Sequence, residues 1–368
     1  MKRVGIVGAG VIGTWHAARW RQLPVALAGF YDVSATATAK AVGEFGGRAF
    51  ERLDDLLAAV DVVDVCTPTS CHKAPVLAAA AAGKDVVCEK PLARHLQDAQ
   101  EMVAACQSAN VRLFVAQVVR FFREFSQAKA ILDSGALGRP GVIRTVRGGS
   151  PPSVPPSGGD RRSVPPSGGD EGGERSWFAD FEQSGGVIMD LSIHDIDFAR
   201  WCFGNVERVF ARGLTTGAQC HSHALIVLRF KNGAIGHLEG SWAYPPGRFR
   251  TLFEIAGDQG LIEFDGLAPA PLMVTLKMNN GTMNNETMNN ETMNNGQAVS
   301  VPVSESPLHP TDDPYYRELE HFLNCLERGD EFLVSPQDGL EAVRIALAAI
   351  ESIRTGQPVH IGHGCTRM

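Results

Sequence analysis

The chain has 368 residues, of which 44% are hydrophobic and 20% charged, and its formal net charge at pH 7 is −7. This length predicts two domains, and the composition supplies enough apolar residues for buried cores. A net acidic chain without a basic cluster excludes nucleic acid as the expected main partner. No apolar run approaches the roughly 18–20 residues that span a bilayer, so no membrane association is predicted.

The first residues lead directly into a strand pattern, so we predict no signal peptide. Eight cysteines occur without any Cys-x-x-Cys spacing. We expect free thiols in a reducing compartment, and therefore a cytoplasmic protein.

Residues 1–119 alternate short, Val-rich apolar runs with helical patterns. Runs that are apolar on both faces predict buried parallel strands, and their alternation with helices predicts a doubly wound α/β domain. Strands are predicted at Val4–Val7, Val25–Tyr31, Val62–Cys66, Val86–Cys88 and Val111–Ala116, and helices at Gly13–Arg21, Ala35–Phe45, Cys71–Ala82 and Leu96–Ser108.

Residues 120–368 have a different pattern, with strands joined by short turns such as Lys231-Asn232-Gly233. Asn-Gly between two strand patterns is typical of a hairpin, so we predict an α+β domain with a mainly antiparallel sheet. Its strands are predicted at Gly141–Arg147, Val206–Arg212, Ala224–Phe230, Ala234–Gly240, Leu252–Ala256 and Gly260–Phe264, and its closing helices at Tyr315–Arg328 and Pro336–Thr355.

Two low-complexity inserts interrupt the second domain, at 151–170 and 278–296. The first duplicates a ten-residue unit and the second repeats a five-residue unit rich in Asn. Such compositions lack side chains that build a packed core. The second insert lies between strand-like Leu272–Lys277 and Ala298–Val303, where a hairpin tip is expected.

The segment Gly8-Ala9-Gly10-Val11-Ile12-Gly13 has the spacing G-x-G-x-x-G between a predicted strand and a predicted helix. Gly8 permits the tight turn, Gly10 lets a pyrophosphate approach, and Gly13 lets helix and strand pack closely. Nineteen residues later, Asp32 ends the second strand, where a carboxylate binds ribose hydroxyls and repels a 2′-phosphate. The pattern predicts NAD rather than NADP as cofactor; the alternative is a glycine turn that binds nothing.

The segment Cys88-Glu89-Lys90-Pro91 follows a predicted strand. Ligands bind at the carboxyl ends of strands in open α/β sheets, so we expect Lys90 to face the cleft. An ordinary surface loop would explain the same residues.

A helical pattern from Val187 places Asp190, His194 and Asp197 on one narrow stripe among apolar neighbours. A His flanked by carboxylates would be oriented and stabilised as a cation, which suits a general base near neutral pH. A structural hydrogen-bonded His and a metal site are the alternatives. We expect no metal, because the cofactor supplies the difficult chemistry.

Taken together, these motifs resemble the Gfo/Idh/MocA oxidoreductases, the family of glucose–fructose oxidoreductase and inositol dehydrogenase. The resemblance extends over nearly the whole chain. The motifs that carry it are Gly8–Gly13, Cys66-Thr67-Pro68-Thr69 with His72, Glu89-Lys90-Pro91, Arg120, the 185–197 segment and Ala349-Ile350-Glu351-Ser352.

The resemblance implies a Rossmann domain followed by a domain whose sheet often mediates homo-oligomerisation, as a dimer or tetramer. It implies that Lys90 contacts nicotinamide and substrate, that His194 transfers the proton, and that Asp190 supports it. The implied cofactor-lining residues are Thr67, Pro68, His72 and Glu89, and the implied further substrate residues are Arg120 and Trp177. A position in the core or at an interface is the alternative for Trp177.

The expected function is NAD-dependent oxidation of a secondary alcohol of a sugar, cyclitol or related polyol. Lys90 would stabilise the developing oxyanion while His194 removes the proton. One alternative is a hydrolase or lyase that uses NAD without net redox change. The other is a non-catalytic dinucleotide or sugar sensor, which the joint presence of Lys90, Asp190 and His194 disfavours.

Overall fold

The structure is a computed structural model that describes residues 1–151, 177–215, 221–268, 272–277, 297–300 and 313–362. Residues 152–170 of the first insert and the whole of the second lie outside the described residues. So do Cys220 and Cys365, whereas the six cysteines in the described part are free thiols. Within that part, no helix combines the length and the apolar character needed to cross a membrane.

The N-terminal residues form a six-stranded parallel sheet of order β3-β2-β1-β4-β5-β6, which confirms the predicted doubly wound fold. Its order reverses between β1 and β4, and ligands bind at such a switch point, beyond the carboxyl ends of the strands. The strands are β1 (Lys2–Val7), β2 (Val25–Tyr31), β3 (Arg48–Ala49), β4 (Val62–Val65), β5 (Asp85–Glu89) and β6 (Leu113–Ala116).

Five helices connect these strands and cover both faces of the sheet. Helix α2 shows why they begin where they do, since the Ser34 side chain accepts a hydrogen bond from the backbone N–H of Ala37. The five are α1 (Val11–Trp20), α2 (Ala35–Phe45), α3 (Leu53–Ala59), α4 (Lys73–Ala81) and α5 (Leu96–Ser108). Strand β3 and helix α3, with two and seven residues, were not predicted because such short elements leave little periodic pattern.

The second sheet has nine strands in the order β14-β13-β12-β11-β7-β10-β9-β8-β15. All its pairs are antiparallel except β7 with β10, which confirms the mainly antiparallel prediction. The strands are β7 (Pro140–Gly148), β8 (Val206–Thr215), β9 (His221–Phe230), β10 (Ile235–Ser241), β11 (Arg250–Gly257), β12 (Gly260–Asp265), β13 (Leu272–Leu276), β14 (Gln297–Ser300) and β15 (Val359–His360). Strands β13 and β14 pair with each other on either side of the 278–296 insert.

One face of the second sheet is covered by helices, and its aromatic core joins Phe125, Phe198 and Phe253 with ring centroids 4.7–5.1 Å apart. The opposite face exposes apolar side chains, among them Leu225 and Val227. The helices of this half are α6 (Arg123–Asp133), α7 (Phe181–Ser184), α8 (Ile193–Phe203), α9 (Pro314–Arg328) and α10 (Pro336–Thr355).

Helix α9 returns to the first sheet and packs beside α1. Its Phe322 ring lies 6.2 Å from that of Trp20 and 5.7 Å from that of Phe114. The cap of α9, Asp313, also pairs with Arg19 of α1. The C-terminal helices therefore fix the position of the two halves relative to each other around the carboxyl edge of the parallel sheet.

Candidate active site

The glycine-rich turn has the geometry that the sequence predicts. Gly8 has φ +102°, and a Cβ there would lie 2.7 Å from the Cys66 carbonyl. A Cβ on Gly13 would lie 1.9 Å from the oxygen of Gly8, whereas one on Gly10 would meet nothing within 4 Å. Gly8 and Gly13 are therefore required for packing, and Gly10 leaves open space.

That open space lies at the N-terminus of α1, where Gly10 is the N-cap and provides no side-chain cap. Among the described residues, no side chain caps the N–H groups of the first turn, which include those of the half-buried Val11 and Ile12. Free N–H groups and the helix dipole favour a phosphate at this position. The turn at Gly8–Gly13 and the start of α1 together form a phosphate cradle. This phosphate cradle fits the pyrophosphate of a dinucleotide.

Asp32 lies beside this cradle. Its Oδ2 accepts a hydrogen bond from Ala9 N at 2.7 Å, and its Oδ1 accepts one from Ser34 N at 2.8 Å. These two bonds hold the carboxylate at the carboxyl end of β2, next to the phosphate cradle. This is the position from which an acid binds the hydroxyls of an adenosine ribose.

The loop after β4 carries Thr67 and Pro68, and His72 links it to the loop after β5. The His72 ring is buried, with Nε2 2.8 Å from the Thr67 carbonyl oxygen and Nδ1 3.0 Å from that of Pro91. Burial lowers the pKa of His72, against the attraction of these oxygens. Because both ring nitrogens face backbone carbonyls, His72 positions the two cofactor-side loops.

Lys90 joins the two halves of the molecule at the end of β5. Its Nζ lies 3.1 Å from the backbone oxygen and 3.3 Å from Oδ1 of Asp190, which is 7% exposed. Asp190 belongs to a π-helical turn, Ile188–Ser192, that leads into α8. Its Oδ2 is buried and has no hydrogen-bond partner among the described residues. Such π-helical turns frequently occur at functional sites.

His194 lies in the first turn of α8 and is partly exposed. Its Nδ1 is buried without a partner among the described residues. Burial, followed by the positive charges of Lys90 and Arg147, lowers the pKa of His194 well below its usual range. The prediction of a cation stabilised by flanking carboxylates was therefore wrong, because burial and the charges of Lys90 and Arg147 disfavour the protonated ring.

Two buried ion pairs explain where the carboxylates of this helix go. Asp195 accepts hydrogen bonds from Arg147 on β7 at 2.9 and 3.1 Å, and Asp197 accepts hydrogen bonds from Arg120 at 2.8 and 2.6 Å. Asp190 contacts Lys90 whereas Asp197 pairs with Arg120, so these two carboxylates of the predicted stripe have separate partners. These pairs anchor α8 on both sides of His194.

Arg120 therefore occupies a different place from the one expected of a substrate ligand. Its side chain is 2% exposed, and its guanidinium also donates to the Leu333 carbonyl oxygen at 2.8 Å. Burial works against the Arg120 charge, but Asp197 and Asp338 together raise its pKa. With its donors directed at protein oxygens, we assign Arg120 to holding α8 against the start of α10.

Trp177 begins the described segment that leads into α7, and its ring stacks on Phe178 with centroids 3.9 Å apart. Helix α7 is tied to the loop beyond Lys90, because Arg94 donates to the Phe181 carbonyl oxygen at 3.2 Å. This places the Trp177 segment near the Lys90 loop. A contact between Trp177 and substrate stays a prediction.

The sequence analysis missed a buried histidine, His16 of α1. Its Nδ1 lies 3.0 Å from Oδ2 of Asp64, and its Nε2 lies 3.2 Å from Oε1 of Glu89. Glu89, expected to line the cofactor, thus faces His16 with one oxygen, and its Oε2 accepts the Lys90 N–H at 3.0 Å. The available signal was Asp64 inside an apolar strand, since a buried acid requires a partner.

Comparisons with known proteins agree with this geometry. Residues 2–117 match the family description "Oxidoreductase family, NAD-binding Rossmann fold", and residues 125–263 match "GFO/IDH/MocA C-terminal domain". The chain is 29% identical over 372 residues to the myo-inositol 2-dehydrogenase of Thermotoga maritima, covering 98% of each chain. It is 28% identical over 314 residues to the D-apiose dehydrogenase of Rhizobium rhizogenes, covering 82% of this chain and 79% of that one.

Among solved structures, a levoglucosan dehydrogenase in complex with NADH and L-sorbose has the same fold. It superposes with a TM-score of 0.81 at 22% identity and covers 98% of this chain and 99% of its own. The family matches, the glycine cradle and the Lys90–Asp190 contact agree with one another. The chain therefore belongs to the GFO/IDH/MocA family of oxidoreductases, dehydrogenases with an NAD-binding Rossmann domain.

Proposed function

We propose that this protein oxidises a secondary alcohol of a sugar, cyclitol or related polyol, with His194 as general base and NAD as the preferred cofactor. The observation that carries the proposal is the contact of Lys90 Nζ with Asp190 at 3.1 and 3.3 Å, beside His194. This contact joins the carboxyl edge of the parallel sheet, where the phosphate cradle lies, to the segment that leads into α8 and His194. When bound, the nicotinamide supplies the hydride acceptor.

His194 accepts the hydroxyl proton in this proposal. Its lowered pKa keeps the imidazole neutral at physiological pH, so that it is able to take a proton. Nδ1 is buried, which leaves Nε2 as the nitrogen open to a substrate hydroxyl. The ion pairs of Asp195 and Asp197 hold the ring in place, as proton transfer requires.

Lys90 binds the oxygen on which negative charge develops. An ammonium group has three N–H donors, and here two of them are directed at oxygens of Asp190. The third is available to the substrate oxygen, where a fixed positive charge stabilises the oxyanion. Asp190 thereby orients Lys90, and both residues are proposed to contact substrate.

The proposed substrate class rests on the relatives. The myo-inositol and D-apiose dehydrogenases act on polyhydroxylated compounds, and the levoglucosan dehydrogenase was solved with L-sorbose. The preference for NAD over NADP rests on Asp32, held next to the cradle by Ala9 and Ser34. Thr67, Pro68 and Trp177 remain proposed ligand contacts.

We also propose a homo-oligomer, a dimer or tetramer, in the cytoplasm. The support is the face of the second sheet that exposes Val142, Leu225 and Val227, since apolar patches on a sheet favour association. We further propose that the boundary between the two domains lies between residues 119 and 120. Light scattering of the purified protein tests the oligomer, and a monomer at micromolar concentration would contradict it.

The activity is tested with a panel of cyclitols, aldoses and polyols, following NADH absorbance. We expect one NADH per substrate oxidised, and a primary isotope effect when the carbinol carbon carries deuterium. Substrate consumed without net NADH would indicate a hydrolase or lyase instead. Sugar binding without turnover, seen by calorimetry, would indicate a sensor.

A further inference from the structure

His16 lies in the second turn of α1, directly behind the phosphate cradle, and is 0% exposed. Each of its ring nitrogens faces a carboxylate: Nδ1 is 3.0 Å from Asp64 Oδ2, and Nε2 is 3.2 Å from Glu89 Oε1. The second contact is at ion-pair distance without the angle of a directed hydrogen bond. A neutral imidazole has one N–H, so only the imidazolium carries an N–H toward each of the two carboxylates.

Among the described groups that surround His16, the His16 ring itself is the positively charged one. Asp64 is an acceptor for three donors, because Trp20 Nε1 and Cys66 Sγ lie 2.7 and 3.3 Å from its oxygens in addition to His16. The remaining groups that face the ring are Tyr315 and Glu318 of α9.

The side chains of Cys66, Tyr315 and Glu318 are uncharged. Burial raises the pKa of the Cys66 thiol and of the Tyr315 phenol, and burial together with Glu89 raises the pKa of Glu318 well above its usual range. Asp64 keeps the pKa of His16 well above its usual range despite the opposing cost of burial. The imidazolium thus faces two carboxylates.

Glu89 connects His16 to Lys90 in the candidate active site. While its Oε1 faces His16, its Oε2 accepts the backbone N–H of Lys90 at 3.0 Å. Lys90 in turn reaches Asp190 across the two halves of the chain. A continuous line of contacts therefore runs from the buried ring to the amine that binds the substrate oxygen.

We propose that His16, as a buried imidazolium between Asp64 and Glu89, is a positioning residue that fixes Lys90 through the Glu89 carboxylate. The inference rests on the proposed function, because it assigns Lys90 to the reaction. Without the cation, Glu89 is left as an uncompensated buried charge that moves or recruits water, and the Lys90 backbone moves with it.

A set of charge-matched variants tests the proposal. His16→Gln should lower kcat about ten- to hundredfold, the usual effect of losing an interaction with a buried charged group. His16→Gln/Asp64→Asn and His16→Gln/Glu89→Gln both restore the net charge of the cluster. Only the first keeps the carboxylate that holds Lys90, so only the first should recover kcat, whereas both should recover thermal stability.

The single variants complete the comparison. In a Glu89→Gln background, His16→Gln should change kcat less than about twofold, because the carboxylate through which it acts is gone. Equal recovery of kcat in both double variants would make His16 purely structural and overturn the proposal. His321→Gln is the control, since this ring is partly buried and accepts a hydrogen bond from Leu333 N. The kcat of this variant should be unchanged.

Thermal unfolding against pH provides a readout that needs no substrate. The folded pKa of His16 is raised, so its stabilising charge is fully present below the unfolded value of about 6.5 and is lost as pH rises through the folded value. The Tm difference between the parent protein and His16→Gln should therefore narrow toward alkaline pH. A constant difference would overturn the imidazolium, even if no polyol were oxidised.

Metal analysis closes the remaining alternative. The ligand atoms of His16, Asp64 and Cys66 lie within 4.8 Å of one another, a spacing that a metal ion also permits. We expect less than a tenth of an equivalent of zinc in the purified protein. One equivalent that is lost in Cys66→Ser would make Nδ1 a ligand rather than a donor, and would overturn the proposal.

Discussion

The surroundings of His16 and His194 leave one imidazole positively charged and the other neutral. Around His16 in the first domain lie the carboxylates of Asp64 and Glu89, and the pKa of His16 is raised well above its usual range. At His194, burial and then the positive charges of Lys90 and Arg147 lower the pKa of the ring well below that range. The two rings thus differ in charge at the same pH.

The difference separates a group that holds position from a group that moves a proton. A permanent imidazolium is unable to accept a proton, whereas a neutral imidazole near neutral pH is able to. Groups whose surroundings push their pKa values apart have different chemical roles. We therefore expect changes at the phosphate cradle to act mainly on cofactor binding and changes at His194 to act directly on turnover. Changes at His16 should act on turnover only through Lys90.

The largest expected effect is on turnover in His194→Ala. Removal of a positioned general base lowers kcat roughly 10²–10⁴-fold. The Kd for NADH should change less than about threefold, because His194 lies on α8 and the cradle lies on α1. Stopped-flow turnover and NADH fluorescence titration measure the two quantities. A variant with near-parental kcat on the true substrate would remove His194 from the mechanism.

The pH dependence of kcat/KM tests the same residue without mutation. Because the pKa of His194 is lowered, the acid limb should lie below the ordinary value of about 6.5 and fall about tenfold per pH unit. The rate falls as pH falls, because a protonated ring has no lone pair for the hydroxyl proton. An acid limb above pH 7, with chemistry shown to limit the rate, would reverse the contrast with His16.

A pair of glycine substitutions separates packing from cofactor binding in the first domain. Gly13→Ala puts a Cβ 1.9 Å from the Gly8 oxygen and should destabilise folding by about 1–3 kcal/mol or more. Gly10→Ala meets no protein atom within 4 Å, so its Tm should stay within about a degree while NAD affinity falls about tenfold. Unchanged NAD affinity in Gly10→Ala would show that the open space is not the phosphate site.

Much of the fold was predictable because local pattern and tertiary structure agree. All five strands predicted in the first domain were found, since buried parallel strands read as continuous apolar runs. Parallel pairing of β7 with β10 was not predictable, because it brings together segments about ninety residues apart along the chain. Sequence periodicity reports the faces of an element and not its distant neighbour.

The site was predictable in its members more than in its electrostatics. The sequence predicts Lys90 and Asp190 as members of one site, and the structure brings them within 3.3 Å of each other. The partners of Asp195 and Asp197 are arginines far away in the sequence, so no local pattern reveals that they are neutralised. His16 escaped notice because its apolar helix and its acids lie on separate elements.

A smaller effect is expected for Asp32→Ser. The carboxylate lies beside the cradle, where it repels a 2′-phosphate and binds the hydroxyls of NAD. Loss of the repulsion should narrow the ratio of kcat/KM for NAD over NADP by about tenfold. Ser34→Ala, which keeps the acid and the Ser34 N–H, is the control and should leave the ratio unchanged. Comparable kcat/KM for both cofactors in the parent protein would contradict the assignment of Asp32.

The smallest effect is expected far from both histidines, in the 278–296 insert. Its five-residue repeats predict no packed core, and ordering such residues would cost roughly 1–2 kcal/mol each. Strands β13 and β14, which flank the insert, pair with each other up to Leu276 and Gln297, so a short turn is able to connect them. Doubling the length of a flexible loop changes stability by only about 0.6 kcal/mol. Replacing residues 279–295 with a two- to four-residue turn should therefore leave Tm and kcat nearly unchanged, as measured by calorimetry and turnover. A loss of several kcal/mol in the free energy of unfolding would show that the insert is an integral part of the second domain. The contrast between His16 and His194 would then not describe all the regions on which the fold depends.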